Sequence, residues 1–327
     1  MNRRRWLCAL PAAFTASPSI ASAAMPAIPP TLQPRPLRPA LHISSLRFAV
    51  QAGPPTLAGL GAERQGEWPL WSLDAPDQAP PLMLLPSPFG PPSWDLAGSS
   101  AGPAAVWSRP GSAVSPLWTR VAGHEPSQLS SEPMGVYGGP RLARGGRAGG
   151  VTAVTEAGGE NRLALILRRD TPQRLLPDLG RGRLIAGRLV QHGGRPWLFA
   201  LCLPPGARWP ERPDLAGESL PAGVLHVAPL DDGLALAGAA QQPFGDDRIY
   251  EFDVDSTGTA LVVVATAARG WRVARGPDAS GAWSTTAEAE LETALLSPAL
   301  LAAGDAVQVA MLQAVAGSAP RLLRGRI

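Results

Sequence analysis

Carboxylates crowd one short stretch of this chain. From Phe244 to Thr259 the sequence runs FGDDRIYEFDVDSTGT, so Asp246, Asp247, Glu251, Asp253 and Asp255 follow one another closely. Asp253, Asp255 and Thr257 with Gly258 match the opening of a calcium loop, in which oxygen ligands alternate before a glycine turn. The position that should supply the bidentate Glu is Val264, inside the run LVVVATA. The segment therefore reads as a hairpin turn, with Gly258 at positive φ and Asp side chains satisfying nearby amides. Asp246, Asp247 and Glu251 are the local group that could supply acid and base to a glycosidic bond. Tyr250 and Glu251 are adjacent, so on a strand they face opposite sides and cannot pair. The histidines His42, His124, His192 and His226 lack metal-ligand spacing, and neither a metal nor a cofactor is expected. No Gly-x-Ser-x-Gly elbow occurs, and GGRAGG (145–150) lacks the Lys of a phosphate loop.

These side chains have to be carried by strands. Short alternating runs recur: LHISSLRFAV, GGVTAVTEA, RLALILRRD, RPWLFALCL, RIYEFDVD, TALVVVATAA, GWRVARG, AVQVAMLQAVA and PRLLRGRI. A loose Pro-x-Leu-x-x-Gly motif begins at Pro55, Pro140 and Pro298, with echoes at Gly102–Gly111, Arg183–Gly194, His226–Gly238 and Thr259–Gly270. Seven occurrences at a spacing of forty-odd residues, built from strands, are the mark of a β-propeller, whose blades bury their faces only against one another. The fold class expected is all-β, a single seven-bladed propeller over 41–327. Few residues follow Pro298, so the last blade needs a strand from elsewhere; LRFAV (Leu46–Val50) is the donor that would close the ring. Ser284–Leu296 has some helical character, with the alternative of an outer strand. The Pro-rich stretches Asp77–Asp95 and Leu203–Pro221 read as irregular loops, where a scaffold usually carries binding residues.

In PDASGAW, Pro277–Trp283, the Asp, Gly and Trp order resembles the Asp-box of secreted propellers of the sialidase type, with one extra residue between Asp and Gly. The resemblance is to the propeller superfamily and covers most of the mature chain. That family holds a carboxylate with an Arg cluster and pairs a Tyr with a Glu. Its Arg-Ile-Pro element is missing here, where LRFAV offers only Arg47.

The first 24 residues read as a signal peptide: Arg3, Arg4 and Arg5 precede a modest apolar run that ends in the small residues Ala21, Ser22 and Ala23. The string RRRWL leaves the general secretory and twin-arginine routes both open. Residues 25–40 form a Pro-rich leader, and the run is too short for a transmembrane anchor. Every one of the 29 basic residues is Arg, and the formal charge is +3. Removing the three leader arginines brings the mature charge to zero, which argues against nucleic acid. Charge is uneven, with Arg dominating Arg141–Arg212 and acids dominating Pro213–Gly304. Cys202 would be the lone mature cysteine, a buried small hydrophobe in WLFALCL. Most of the nine mature tryptophans are expected to pack blades, while Trp94 and Trp209, in Pro-rich segments, are candidate surface anchors. Strands entering the axis would bring Arg47, Tyr137 and Arg141 to the funnel mouth. Together these features point to an exported, periplasmic or secreted, monomeric binding or assembly module with a protein or glycan partner at the propeller face. The alternatives are a glycan- or polymer-active hydrolase or lyase at the funnel, and a cofactor-bearing propeller oxidoreductase.

Overall fold

The computed structural model describes residues 32–35, 37, 42–49, 55–76, 79–88, 90–99, 102–109, 114–130, 134–135, 139–144, 150–157, 160–166, 174–179, 182–204, 222–267, 270–290, 295–303, 306–314 and 320–327. Regular structure among them is entirely β. Each of the nine alternating runs named above contains strand residues. Six antiparallel sheets make six blades, each starting at the axis, and a two-stranded ribbon (Val114–Ser115 with Met134–Gly135) lies outside them. The axial strands are Ser45–Ala49, Ser93–Ser99, Arg141–Leu142, Leu184–His192, Ile249–Ser256 and Leu295–Ala303. Among the described residues blade 4 has three strands and the other five blades have four.

The apolar run Leu261–Ala267 shows why such strands form. Leu261, Val263 and Ala265 pack towards blade 4 with Phe199, Leu201 and Val227. Val262 and Val264 pack the other way, against Leu300, Val307, Val309 and Met311 of blade 6. A middle strand is covered on both faces, so period-two geometry demands apolar residues throughout. The outer strand of the same blade, Ser284–Glu290, alternates instead, with Ala287 buried and Glu288 and Glu290 exposed. One apolar cluster sits in each gap between successive blades, the sixth joining Ile43, Leu46, Phe48 and Leu57 of the first blade to Leu301, Leu312 and Leu322 of the last. Each of the eight described tryptophans of the strand-forming region packs in or against one of these clusters.

Several sequence expectations need correction. The ring has six blades, not seven, because Arg183–Gly194 and His226–Gly238 are the axial and third strands of one blade. Axial strands start at intervals of 48, 48, 43, 65 and 46 residues, and the long interval spans the enlarged blade 4. The Pro-x-Leu-x-x-Gly motif marks no constant place: Pro55 precedes a second strand, whereas Pro140 and Pro298 belong to axial ones. The run Leu46–Val50 does not complete the last blade, since Ser45–Ala49 is the axial strand of blade 1 and pairs with Thr56–Leu60. Instead Gln33–Arg35, within the Pro-rich leader, pairs with Arg321–Arg326 as the outermost strand of blade 6. Pro34 fits there because an edge strand has ladder positions that need no N–H.

The described residues of Ser284–Leu296 hold no helix. Ser284–Glu290 pairs with Gly270–Gly276, as its alternation of exposure allows. Asp77–Asp95 is less irregular than its prolines suggest, for it contains the strand Met83–Pro86 and the start of Ser93–Ser99. Gly258 does not adopt positive φ. Its turn is closed by the Thr257 amide donating to the Ala260 carbonyl at 2.8 Å, and by the Thr257 hydroxyl.

Candidate functional site at the propeller axis

Positions on and just beyond the axial strands gather four arginines and four carboxylates. Arg188, 2 % exposed in the apolar strand LIAGRLVQH, donates from one guanidinium to Asp95 of blade 2 and Asp253 of blade 5. Both partners sit on non-adjacent blades or across an interface, so this one fork ties three blades together. Arg144 of blade 3 reaches Asp253 and Asp255, each at 3.2 Å, and the Leu300 carbonyl of blade 6. Arg47 of blade 1 lies 3.7 Å from Asp95, donates to the Leu46 carbonyl at 2.6 Å and to Ser297 Oγ at 3.2 Å, and stacks over Trp94.

The carboxylates also hold the ring as backbone clasps. Asp95 accepts the Leu142 amide at 2.8 Å, Asp253 accepts the Leu300 amide at 2.8 Å and Asp255 accepts the Ala302 amide at 2.9 Å. In all three the donor lies 47 residues on, at the matching place of the next blade. Glu251 accepts the Ser297 amide at 2.7 Å. Ser297, at φ +54°, in turn accepts the Leu46 amide at 2.8 Å, linking the last blade to the first.

Electrostatics follow from these contacts. Burial alone would push the Asp95 carboxyl up, but Arg188, Arg141, Arg47 and Arg144 outweigh it and hold it at about 2. Burial likewise pulls Arg144 down, and Asp253 and Asp255 more than reverse it, leaving it above the usual arginine range. Arg141 is different. Burial first and the like charge of Arg47 second lower it to about 9, and its Nη1 is buried without a hydrogen-bond partner. The turn that delivers Arg141 to the axis passes through Gly139 at φ +63°, where a Cβ would stand 2.8 Å from the Ser93 side chain.

Of the residues singled out from sequence, Arg47 and Arg141 both lie on axial strands, near enough for the charge of Arg47 to weigh on Arg141. Trp94 does not serve as a surface anchor: it is 3 % exposed on the axial strand of blade 2, its Nε1 donating to Ser45 Oγ at 2.7 Å. Tyr137 and Trp209 lie outside the described residues. Asp246, Asp247 and Glu251 have separate surroundings, Asp246 being exposed, Asp247 paired with Arg272 on a third strand and Glu251 bound to Ser297. Asp253 and Asp255 satisfy their own following amides, Val254 and Ser256, and the next blade, so they belong to the axis and not to the hairpin. Cys202 is buried, and burial pushes its thiol up to about 12. Sequence reasoning missed Asp95, Arg144 and Arg188. The available signal was a single charge inside an apolar strand, as in LIAGRLV.

Asp278 of PDASGAW organises its own turn. Its Oδ1 accepts the Ser280 amide, the Ser280 hydroxyl and the Ala282 amide, shaping the turn between the third and fourth strands of blade 5. Trp283 then packs edge-on to Phe199 at 6.2 Å and donates to Gln241.

This chain is a six-bladed β-propeller. No protein-family model matches it, and no curated protein matches it significantly. Among solved structures, an α-L-arabinanase of Penicillium chrysogenum in complex with arabinobiose is similar at TM-score 0.58 and 10% identity, covering 92% of this chain and 98% of that one. YCF48 bound to D1 peptide is similar at TM-score 0.50 and 13% identity, covering 92% and 99%. A subtype N10 neuraminidase-like protein of A/little yellow-shouldered bat/Guatemala/060/2010 is similar at TM-score 0.51 and 10% identity, covering 91% and 98%. At these identities the likeness is one of fold, shared by enzymes and by a peptide-bound protein alike.

Proposed function

We propose that this propeller is an exported binding or assembly module, with its partner at the propeller face near the axis. The observation that carries the reading is that the axial carboxylates are already engaged. Asp95, Asp253 and Asp255 each accept two backbone amides as well as guanidinium contacts, and Asp95 is held near 2. A glycosidase needs one carboxyl kept protonated at working pH and a second free to act as base or nucleophile. Here the axial acids are spent on holding blades together, and the carboxyl of Asp95 is held ionised by the surrounding arginines. A protein partner has a precedent in the similar fold of YCF48, bound to D1 peptide, as a glycan has in the arabinanase complexed with arabinobiose. Among the described residues no helix is long and apolar enough to cross a membrane.

The test is release of reducing sugar from arabinan, xylan, sialoside and uronate polymers by the purified protein. No release above blank is expected. Hydrolysis that disappears in Glu251→Gln or Asp246→Asn would place the protein among the enzymes.

A further inference from the structure

Where the second strand of blade 5 turns into the third, the propeller carries a pocket of about 320 Å³. Gly270, Trp271 and Arg272 on the third strand face Glu288, Ala289 and Glu290 on the fourth, with Gly270 paired to Glu290 and Arg272 to Glu288. Gly270, at φ +142°, has no room for a Cβ, which would run into the Ala289 carbonyl, and so lets the two strands meet this closely. The remaining wall, Ala267, pairs with Ile249, the first residue of the axial strand of blade 5. The pocket therefore lies at the end of the ring where axial strands begin.

Charge and an unused donor set the class of ligand. Asp247 and Glu288 share Arg272, the second at 3.4 Å, while Glu290 is exposed and has no cation among the described residues. Three carboxylates thus stand against one guanidinium, and among the described residues no three acids or histidines are grouped to hold a metal ion. A cleft with that surplus attracts an organic cation. Independently, Trp271 is 3 % exposed yet lines the pocket, and its indole N–H has no acceptor among the described residues and is not sealed from solvent. Such a donor calls for a ligand oxygen. We propose that this pocket takes a basic side chain, Arg or Lys, of a partner polypeptide, with Glu288 and Glu290 meeting the cation and Trp271 donating to a carbonyl of the same segment. A sugar held by an aromatic residue packs its C–H face on the ring, and an indole only 3 % exposed offers no such face. A volume near 320 Å³ suits one long side chain with its flanking backbone. The inference rests on the binding-module reading and names the chemistry of its partner.

The experiment follows the tryptophan indole N–H signals of the full chain by NMR, that of Trp271 being assigned by its loss in Trp271→Phe. The probes are the blocked tripeptide N-acetyl-Gly-Arg-Gly-amide, the same peptide with citrulline for Arg, which keeps the shape without the charge, and arabinobiose, all at constant low ionic strength. The arginine peptide is expected to shift the Trp271 signal saturably, with the other two probes inert. Glu288→Gln and Glu290→Gln, both at exposed positions, should each weaken binding about threefold and together about tenfold, with the melting temperature unchanged. Glu125→Gln, at an exposed acid of blade 2, should leave binding as in wild type. Trp271→Phe, followed through the Gly270 amide, should bind about threefold more weakly, and the two Glu variants decide alone if it folds poorly. Equal shifts with the citrulline peptide, absence of a saturable shift, preference for arabinobiose, or a double Glu variant that binds as wild type each overturns the proposal. Glycan hydrolysis by the wild type would remove the binding-module reading, whereas a silent arginine peptide without hydrolysis removes only this pocket.

Discussion

Arg188 is the residue on which the axis turns. Replacing it with Met keeps much of the side-chain volume but leaves Asp95 and Asp253, 0 % and 1 % exposed, without their main counter-charge. Breaking a buried pair from one side costs about 3–5 kcal/mol. Urea unfolding of Arg188→Met should show a loss of that order, and a variant as stable as wild type would mean the network is ornamental. Asp95 supplies a second test. Its carboxyl is held at about 2 against an ordinary 3.8, so the folded state favours the ionised form. The stabilisation is complete above the unfolded value and disappears as pH falls through the folded one. It amounts to about 2 kcal/mol, by the worth of each pKa unit. Stability measured from pH 5 to pH 2 should therefore fall most steeply below about pH 4, and Asp95→Asn should flatten that slope.

At the level of elements, what matters is which strand completes which blade. Gln33–Arg35 pairs along Arg321–Arg326, and Leu32 packs against the cluster between blades 5 and 6. A chain beginning at residue 40 should expose the edge of Arg321–Arg326, melt at lower temperature and scatter light on warming, while one beginning at residue 32 should behave as wild type. Equal behaviour of the two would show that the pairing contributes nothing. The same strand explains a misreading. A Pro-rich tripeptide carries no alternation, so its place in a ladder is visible only once the neighbouring edge is known. Ser284–Glu290 is the converse case, for its Ala and Glu content favours helix, yet the adjacent Gly270–Gly276 strand offers a ladder that overrides local preference.

For the whole molecule, closure through one charged axis predicts cooperative unfolding. Arg144 and Arg188 together touch blades 2, 3, 5 and 6, so losing one blade unpairs charges in others. Far-ultraviolet circular dichroism and tryptophan fluorescence should report one coincident transition, with β signal and little helix before it; separated transitions would show blades melting independently. The uneven charge along the chain acquires its meaning here. Arg144 and Arg188 come from the basic stretch and Asp253 and Asp255 from the acidic one, and they are buried partners, not solvated neighbours. Strand positions, the apolar middle of each blade, the burial of Cys202 and a repeat of forty-odd residues were all legible in sequence, because alternation is a local property that each segment carries by itself. Blade number was not, since the enlarged blade 4 counts twice in a motif that marks strands and not blades. Arg47 and Arg141 could be placed near the axis from sequence, but Asp95 and Arg188 become partners only across a ring. Their pairing joins residues 93 apart, and which axial side chains meet depends on how many blades close the circle.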